Sequence, residues 1–397
     1  MKIVQVGGAL NGAQKIIEEA IHHRALEMGH ESYIFYARGK SDEPGLIKYE
    51  SKFENLATRA LRKYGGKRSC YSALQTRRLI QEIQRINPDI IHLHVLHHGY
   101  TDYQMLFKYL VKAQIPVVYT MHDMWAFTGG CYHYTALGCT GYQTGCNYCI
   151  AGKNQLDTEK AAVGSSYSRK KSMFSQLNRV HFVPVSWWVK EEMLKSFLAK
   201  YPISVIPNGV AVNDNLALRH RAPREDKGKI RLISVAATWT EKKGINVLLE
   251  LAQRLGEGYE LWLAGSVAED VKIHAPANVK FLGYCRDKKQ LFEYYAACDL
   301  YVGASQEETF GMTFVEAALA GIRSVGFAST AITGTLHEIG GVGVKEFTCE
   351  ALVRAIVRVM ESRRNALSLI EIEEVANKFS PQHMADQYLN IYHEITK

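Results

Sequence analysis

The sequence predicts an α/β protein made of two doubly wound, Rossmann-like domains facing each other across a cleft. Three observations carry that expectation. At 397 residues the chain is too long for one compact core. Short apolar runs alternate with helical spacing through the first half. The same alternation restarts beyond a polar, arginine-rich stretch at 219–229. The first domain is expected over 1–205 and the second over 206–380, with a last helix, 381–397, packing back on the first.

The elements follow in order. Residues 3–6 are an apolar strand running into Gly7-Gly8, and 13–28 has helical spacing that stops at Gly29. A strand at 32–36 follows, then a helix at 72–86 that ends before Pro88. A buried strand at 89–94, a helix at 103–112 and a strand at 116–121 continue the pattern. The last strands of the half fall at 180–185 and 204–206. In the second half, strands are expected at 231–235, 260–264, 279–281, 300–302 and 324–326. Helices fall at 245–255, 288–297, 312–320, 349–361 and 381–395. Strands alternating with helices imply parallel sheets covered on both faces, with ligands taken at the carboxyl ends of the strands.

Composition narrows the function classes. Hydrophobic residues make up 47% and charged residues 22%, which is ordinary for a globular chain. The start, Met1-Lys2-Ile3-Val4, lacks the apolar stretch of a signal peptide. No run approaches the roughly 18 apolar residues of a spanning helix. A cytoplasmic protein is expected. The net charge of +8 is mild, with basic clusters at 59–68, 77–85, 190–200 and 219–229. These are solvated helix faces, or they attract an anionic membrane surface or phosphorylated ligands. No nucleic-acid motif is present.

The most informative segment is Glu307-Glu308-Thr309-Phe310-Gly311-Met312-Thr313-Phe314-Val315-Glu316-Ala317, after the strand at 300–302. With a helix starting near Gly311, Glu308 lies in the loop and Glu316 about one turn inside. A helix N-terminus here offers free N–H groups and a positive dipole end to an anion. Glu316 can accept both hydroxyls of a ribose, and Glu308 can bind those of a sugar. A second segment, Thr238-Trp239-Thr240-Glu241-Lys242-Lys243-Gly244, opens another helix and can place an ammonium on a diphosphate. In the first domain, Gly7-Gly8-Ala9-Leu10-Asn11-Gly12 lets the backbone approach a phosphate closely. It is not a dinucleotide fingerprint, since Gly-x-Gly-x-x-Gly is absent and Arg38 ends the second strand where an acid is needed. His122-Asp123 follows the strand at 116–121 and reads as a ligand contact at the sheet edge.

Together these residues resemble glycosyltransferase family 4, whose fold is the twin-Rossmann GT-B arrangement. The resemblance covers nearly the whole chain. It rests on the glycine loop, His122-Asp123, Val205-Ile206-Pro207-Asn208-Gly209-Val210, Lys243-Gly244 and the Glu308/Glu316 pair. It implies a retaining, metal-independent, hexosyltransferase-type enzyme using a nucleotide diphosphate sugar (UDP or GDP). It also implies roles: Glu316 on the ribose, Glu308 on the donor sugar, Lys243 on the diphosphate, His122 near the transferred sugar. Gly8 to Gly12 would close over the phosphates, and Phe310, Gly311 and Met312 belong to the donor-binding set. The family often carries Arg five residues before that lysine; here the position is Thr238. Lys242 or a nearby Arg is the expected substitute. The stretch 121–131 resembles members acting in exopolysaccharide, capsule or O-antigen assembly. That implies a saccharide or lipid-linked saccharide acceptor and peripheral membrane association. A nucleotide-sugar epimerase or hydrolase of the same fold, and an inactive sugar-binding subunit, are the rival readings.

The remaining feature is a Gly- and Tyr-rich insertion, 128–152, carrying Cys131, Cys139, Cys146 and Cys149. Four thiolates with one tight Cys-x-x-Cys pair suit structural zinc, and His133 could replace one sulfur. Unpaired thiols and disulfides are the alternatives.

Overall fold

Two six-stranded sheets, with every strand parallel to its neighbours, organise this computed structural model. It describes residues 1–10, 12–50, 72–152, 156–158, 160–211 and 228–397. Asn11, the basic cluster at 59–68, Cys70 and most of the arginine-rich spacer lie outside the described residues. The chain divides into two units: Met1–Gly209 with Pro381–Lys397, and Val210–Ser380. Element labels below cover strands and the helices of eight residues or more.

Unit 1 contains β1 (Lys2–Val6), α1 (Gly12–Glu27), β2 (Glu31–Tyr36), β3 (Leu46–Lys48), α2 (Ala73–Ile86) and β4 (Ile90–Leu93). It continues with α3 (Tyr103–Ala113), β5 (Val117–Met121), α4 (Val163–Phe174), β6 (Val180–Pro184) and α5 (Trp187–Leu194). The strand order is β3-β2-β1-β4-β5-β6, so the direction of winding reverses between β1 and β4. β4 and β5 are buried at every position, which explains why each carries apolar residues on both faces. The terminal helix, Pro381–Thr396, joins this core through Met384, Ala385, Tyr388, Leu389 and Tyr392 against Ile3, Ile17, Ile21 and Val118. Two of its tyrosines also bond inside the sheet: Tyr392 Oη lies 2.6 Å from His92 Nδ1, and Tyr388 Oη 2.8 Å from Thr120 Oγ1.

The expected strand at 204–206 does not form. Ser204 and Ile206 donate to Phe182 O (3.1 Å) and Pro184 O (3.2 Å), but only a single bridge, Phe182 to Ile203, is made. Pro202 and Pro207 flank the segment and lack the N–H a ladder needs. β3 was not anticipated, because three residues give no periodicity to read.

Unit 2 contains β7 (Ile230–Thr238), α6 (Ile245–Leu255), β8 (Tyr259–Ser266), β9 (Val279–Gly283), α7 (Lys288–Ala296) and β10 (Leu300–Gly303). Then come α8 (Met312–Leu319), β11 (Ser324–Phe327), α9 (Thr330–Glu338), β12 (Val342–Val344), α10 (Cys349–Glu361) and α11 (Leu369–Lys378), with α12 being the terminal helix. The order is β12-β11-β10-β7-β8-β9. α9, β12 and α11 were missed by the sequence reading. α11 had a legible start, a capping box in which Ser368 and Glu371 exchange side-chain bonds with each other's N–H. α9 is masked by Gly334 at its centre.

Glycines set how closely α8 approaches its sheet. A Cβ on Gly303 would stand 2.1 Å from the Phe314 ring, and one on Gly326 would stand 2.7 Å from it. The ring therefore lies directly on bare backbone. Gly326→Ala should lower unfolding free energy by about 1–3 kcal/mol through overpacking. Urea denaturation would show this as a lower midpoint at unchanged slope.

Candidate active site

In unit 2 the loop from β10 to α8 is held at both ends. Gly311 takes φ +92° as the residue before the helix, a conformation only glycine adopts cheaply. Upstream, Glu308 N–H donates to Thr330 Oγ1 (3.0 Å), and the Thr330 hydroxyl donates to Glu308 O (2.9 Å). Thr330 itself sits at φ +48°, a strained value for a β-branched residue. Thr335 Oγ1 donates to Phe310 O at 2.5 Å, and the buried Phe310 ring packs on Phe379.

The two glutamates end in different settings. Glu316 is 4% exposed and pairs with Lys288, while Tyr295 Oη donates to its other oxygen at 3.2 Å. Glu308 pairs with Lys243 Nζ at 2.5 Å. The Lys243-Gly244 turn is stitched to the same loop: Gln306 N–H donates to Lys242 O (3.1 Å), and a Cβ on Gly244 would stand 2.2 Å from Ala304 O. Tyr301 sits among these groups, its hydroxyl 2.7 Å from Thr313 Oγ1. Burial, with Glu308 and Glu316 both nearby, pushes its phenol up.

The loops thus bring Lys243, Glu308, Gly311 and Glu316 into one corner of unit 2. Lys288 was missed by the sequence reading; it opens α7, behind the cap Asp287, and reaches Glu316 only through the tertiary fold. Thr238 ends β7 exposed, and Lys242 is exposed as well.

In unit 1 the glycine loop is equally tight. A Cβ on Gly7 would stand 2.0 Å from Glu18 Oε1, and one on Gly8 2.2 Å from the Tyr100 ring. Gly12 opens α1 at φ +56° with open space around it. Glu18 is fully buried, and burial pushes its carboxyl up to about 8, so it is uncharged near neutral pH. Arg38 lies over the Tyr100 ring at 4.9 Å and 3.8 Å from Glu50.

His122 and Asp123 follow β5. His122 Nε2 lies 3.0 Å from His94 Nδ1, and burial takes the His122 ring down to about 4, Asp123 partly opposing. Asp123 Oδ2 lies 3.1 Å from His97 Nε2, and Asp123 Oδ1 accepts Trp125 N–H at 2.9 Å. Burial opposes its ionisation, but His97 and Trp125 outweigh that and hold the carboxyl well below its usual range. His97 is sandwiched between the Trp125 and Tyr132 rings.

The zinc expectation for Cys131, Cys139, Cys146 and Cys149 is not supported. Among the described residues no three His, Cys, Asp or Glu side chains form a group able to hold a metal, His133 included. None of the described cysteines is in a disulfide either. Burial, then the other three thiols, push Cys131 up to about 12, so it stays a thiol. The insertion is stapled by tyrosines instead. Tyr134 Oη and Tyr142 Oη both donate to Glu192 Oε2, at 2.7 and 2.8 Å, and Lys195 holds the other oxygen at 2.6 Å. Beneath it, buried Lys170 donates to Trp125 O at 2.5 Å and lies 4.2 Å from the Trp125 ring. Glu192→Ala should leave two buried hydroxyls without their acceptor and cost about 1–3 kcal/mol. Limited proteolysis should then cut within 131–149, whereas a chelator added to the unaltered protein should leave its melting temperature unchanged.

Comparison with known proteins agrees with this architecture. Residues 11–214 match the model of Glycosyltransferase Family 4, and residues 229–362 match that of Glycosyl transferases group 1. The Escherichia coli protein WcaC, named for a glycosyl transferase role in colanic acid biosynthesis, is 24% identical over 393 residues, covering 94% of this chain and 95% of its own. Among solved structures, sucrose-phosphate synthase from Thermosynechococcus elongatus superposes with TM-score 0.69 at 16% identity, covering 100% of this chain and 99% of that one. Anabaena HepE in complex with UDP superposes with TM-score 0.63 at 15% identity, covering 99% and 100%. The chain therefore belongs to glycosyltransferase family 4, with two Rossmann-like parallel-sheet domains of the GT-B type.

Proposed function

We propose that this glycosyltransferase moves a sugar, with retention of anomeric configuration, from a nucleotide diphosphate to an acceptor hydroxyl in bacterial surface polysaccharide synthesis. The observation that carries the reading is the double ion pair at the start of α8, Lys243 with Glu308 and Lys288 with Glu316. Without donor, each ammonium is held by a carboxylate. A diphosphate is the stronger anion, and one lysine contact at 4 Å is worth about 4 kcal/mol of Coulomb energy at an effective dielectric of 20, before desolvation. Transfer of the lysines to phosphate leaves Glu316 to accept from the ribose and Glu308 from the sugar. The start of α8, at Phe310, Gly311 and Met312, adds unpaired N–H groups. Lys288 then takes the role of the cation missing at Thr238. From unit 1, His122 would meet the transferred sugar, and Gly8 and Gly12 the phosphates.

The chemistry needs no metal ligand from this chain. The bond from the anomeric carbon to the phosphate oxygen breaks, and the acceptor oxygen bonds that carbon on the same face. The acceptor's proton passes to the departing phosphate oxygen, whose charge the lysines stabilise. UDP is the first nucleotide to test, because the Anabaena neighbour was solved with it; GDP is the second.

A thermal-shift screen against UDP, GDP, CDP, ADP, dTDP and their sugar conjugates checks the donor. A true ligand at a hundred times its dissociation constant adds about 2.7 kcal/mol; no shift with any of them sinks the reading. Glu316→Gln should weaken nucleotide binding about tenfold or more, through loss of charge-assisted bonds to the ribose. Glu308→Gln should instead lower turnover with nucleotide affinity nearly unchanged. Equal affinity and rate in both variants and wild type would overturn the assignment.

The acceptor in this proposal is a lipid-linked saccharide, met at the inner face of the cell membrane. Among the described residues no helix is long and apolar enough to cross a bilayer, so contact would be peripheral. Unit 2 carries an open groove of about 1420 Å³ lined by Arg323, Lys345, Arg354, Arg358, Arg363 and Arg364. Two carboxylates there are taken up by Arg323–Glu371 and Arg354–Glu346. Beside it, Phe347, Leu369 and Ile370 are exposed. Basic residues near an anionic bilayer are worth about 1 kcal/mol each. Changing Arg358, Arg363 and Arg364 together to Glu should release the protein from phosphatidylglycerol vesicles in sedimentation, with its melting temperature held.

A further inference from the structure

The polar chain beneath His122 has a direction. Gln5, on β1, is fully buried, and its Nε2 donates to the main-chain carbonyl of Glu18 at 2.9 Å. A carbonyl can only accept, so the amide nitrogen must face it and Oε1 must face the other way. There Oε1 lies 3.2 Å from His94 Nε2, which must therefore carry the proton. His94 is 1% exposed, and burial drives its ring to the neutral form. A neutral ring protonated at Nε2 has a lone pair at Nδ1. That atom lies 3.0 Å from His122 Nε2, which must be the donor. His122 is neutral too, so its remaining nitrogen, Nδ1, is a lone pair. His92 does not reverse this sequence. Its ring, tilted against that of His94 with centroids 4.0 Å apart, already spends its nitrogens on Tyr392 Oη (2.6 Å) and Thr120 Oγ1 (2.7 Å).

We infer that Gln5 and His94 are positioning residues that lock His122 in the Nε2–H tautomer, so that Nδ1 stands at the carboxyl end of β5 as a hydrogen-bond acceptor. The ligand group it takes is a hydroxyl that donates, and on the reading above this is a hydroxyl of the transferred sugar. An acceptor nitrogen rejects a sugar whose group at that position can only accept, such as a fluoro analogue. With the opposite tautomer the ring would offer N–H at Nδ1 instead, and two lone pairs, on His122 Nε2 and His94 Nδ1, would face each other across 3.0 Å. The polarity of the site at His122 is thus decided by a glutamine on a different strand.

The test is a ¹⁵N–¹H correlation spectrum of the histidine rings in the full-length protein at neutral pH. The expected result is a His122 ring protonated at Nε2 with Nδ1 in the unprotonated range. Protonation at Nδ1, or at both nitrogens, overturns the inference. In Gln5→Leu, the His122 ring should lose the single tautomer and kcat/KM for the donor sugar should fall about tenfold, while nucleotide affinity stays within twofold. His94→Asn, which keeps an acceptor oxygen beside His122, should retain more activity than His94→Leu. Unchanged His122 signals in Gln5→Leu also overturn the inference, and the wild-type spectrum alone decides the tautomer should a variant fail to fold. If the spectrum shows the Nε2–H form and no nucleotide sugar is turned over, the relay stands and the transferase reading falls instead.

Discussion

Phe314 fills the space that a side chain at Gly303 or Gly326 would need, so that its ring seats α8 on bare backbone of the sheet. That contact sets how closely the helix approaches these two strands. It brings the helix N-terminus to the edge of the strands and turns Glu316 inward to 4% exposure. The loop between β10 and α8 carries Glu308. Thr330 accepts strain at φ +48° to clamp that loop, which indicates that the placement of Glu308 is stabilised at some cost elsewhere.

Electrostatics completes what the packing begins. A carboxylate as enclosed as Glu316 is costly unless paired and hydrogen-bonded, and Lys288 with Tyr295 Oη supplies both. Glu308 is more open and is balanced by Lys243. The corner therefore sets two ammoniums against two carboxylates, and in the proposed reading a diphosphate would compete for the lysines rather than enter an uncompensated field.

Unit 1 solves its polar problems without formal charge at most positions. Glu18, His92, His94 and His122 are all kept neutral chiefly by burial, and their hydrogen bonds form directed chains through Gln5, Thr120, Tyr388 and Tyr392. The Asp123–His97 contact is the ionisable exception at this edge. The cysteine insertion follows the same economy, since two tyrosine hydroxyls converging on Glu192 fix a loop poor in aliphatic side chains. Four nearby cysteines had suggested a metal, but thiol spacing along a chain says nothing of whether the sulfurs point to one centre.

The sequence by itself determined the architecture, because helical and strand periods are written in neighbouring residues and a parallel sheet buried on both faces leaves adjacent apolar residues, such as Ile90-Ile91 and Val117-Val118, on opposite faces of one strand. It also singled out Glu308, Glu316, Lys243 and His122 as candidates, since each stands near where a strand ends and a helix begins. Short elements escaped it: β3 and β12 are three residues each and exist only because an adjacent strand offers its edge. Lys288 escaped as well, lying 28 residues from Glu316 in a helix of otherwise ordinary polarity. The same holds for Gln5 and His94, 89 residues apart, whose hydrogen-bond sense follows from a carbonyl that no local pattern could place. Only the tertiary structure decided which cation meets which carboxylate, which nitrogen of His122 carries the proton, and what staples the cysteine loop, because each depends on a distance between segments remote in sequence.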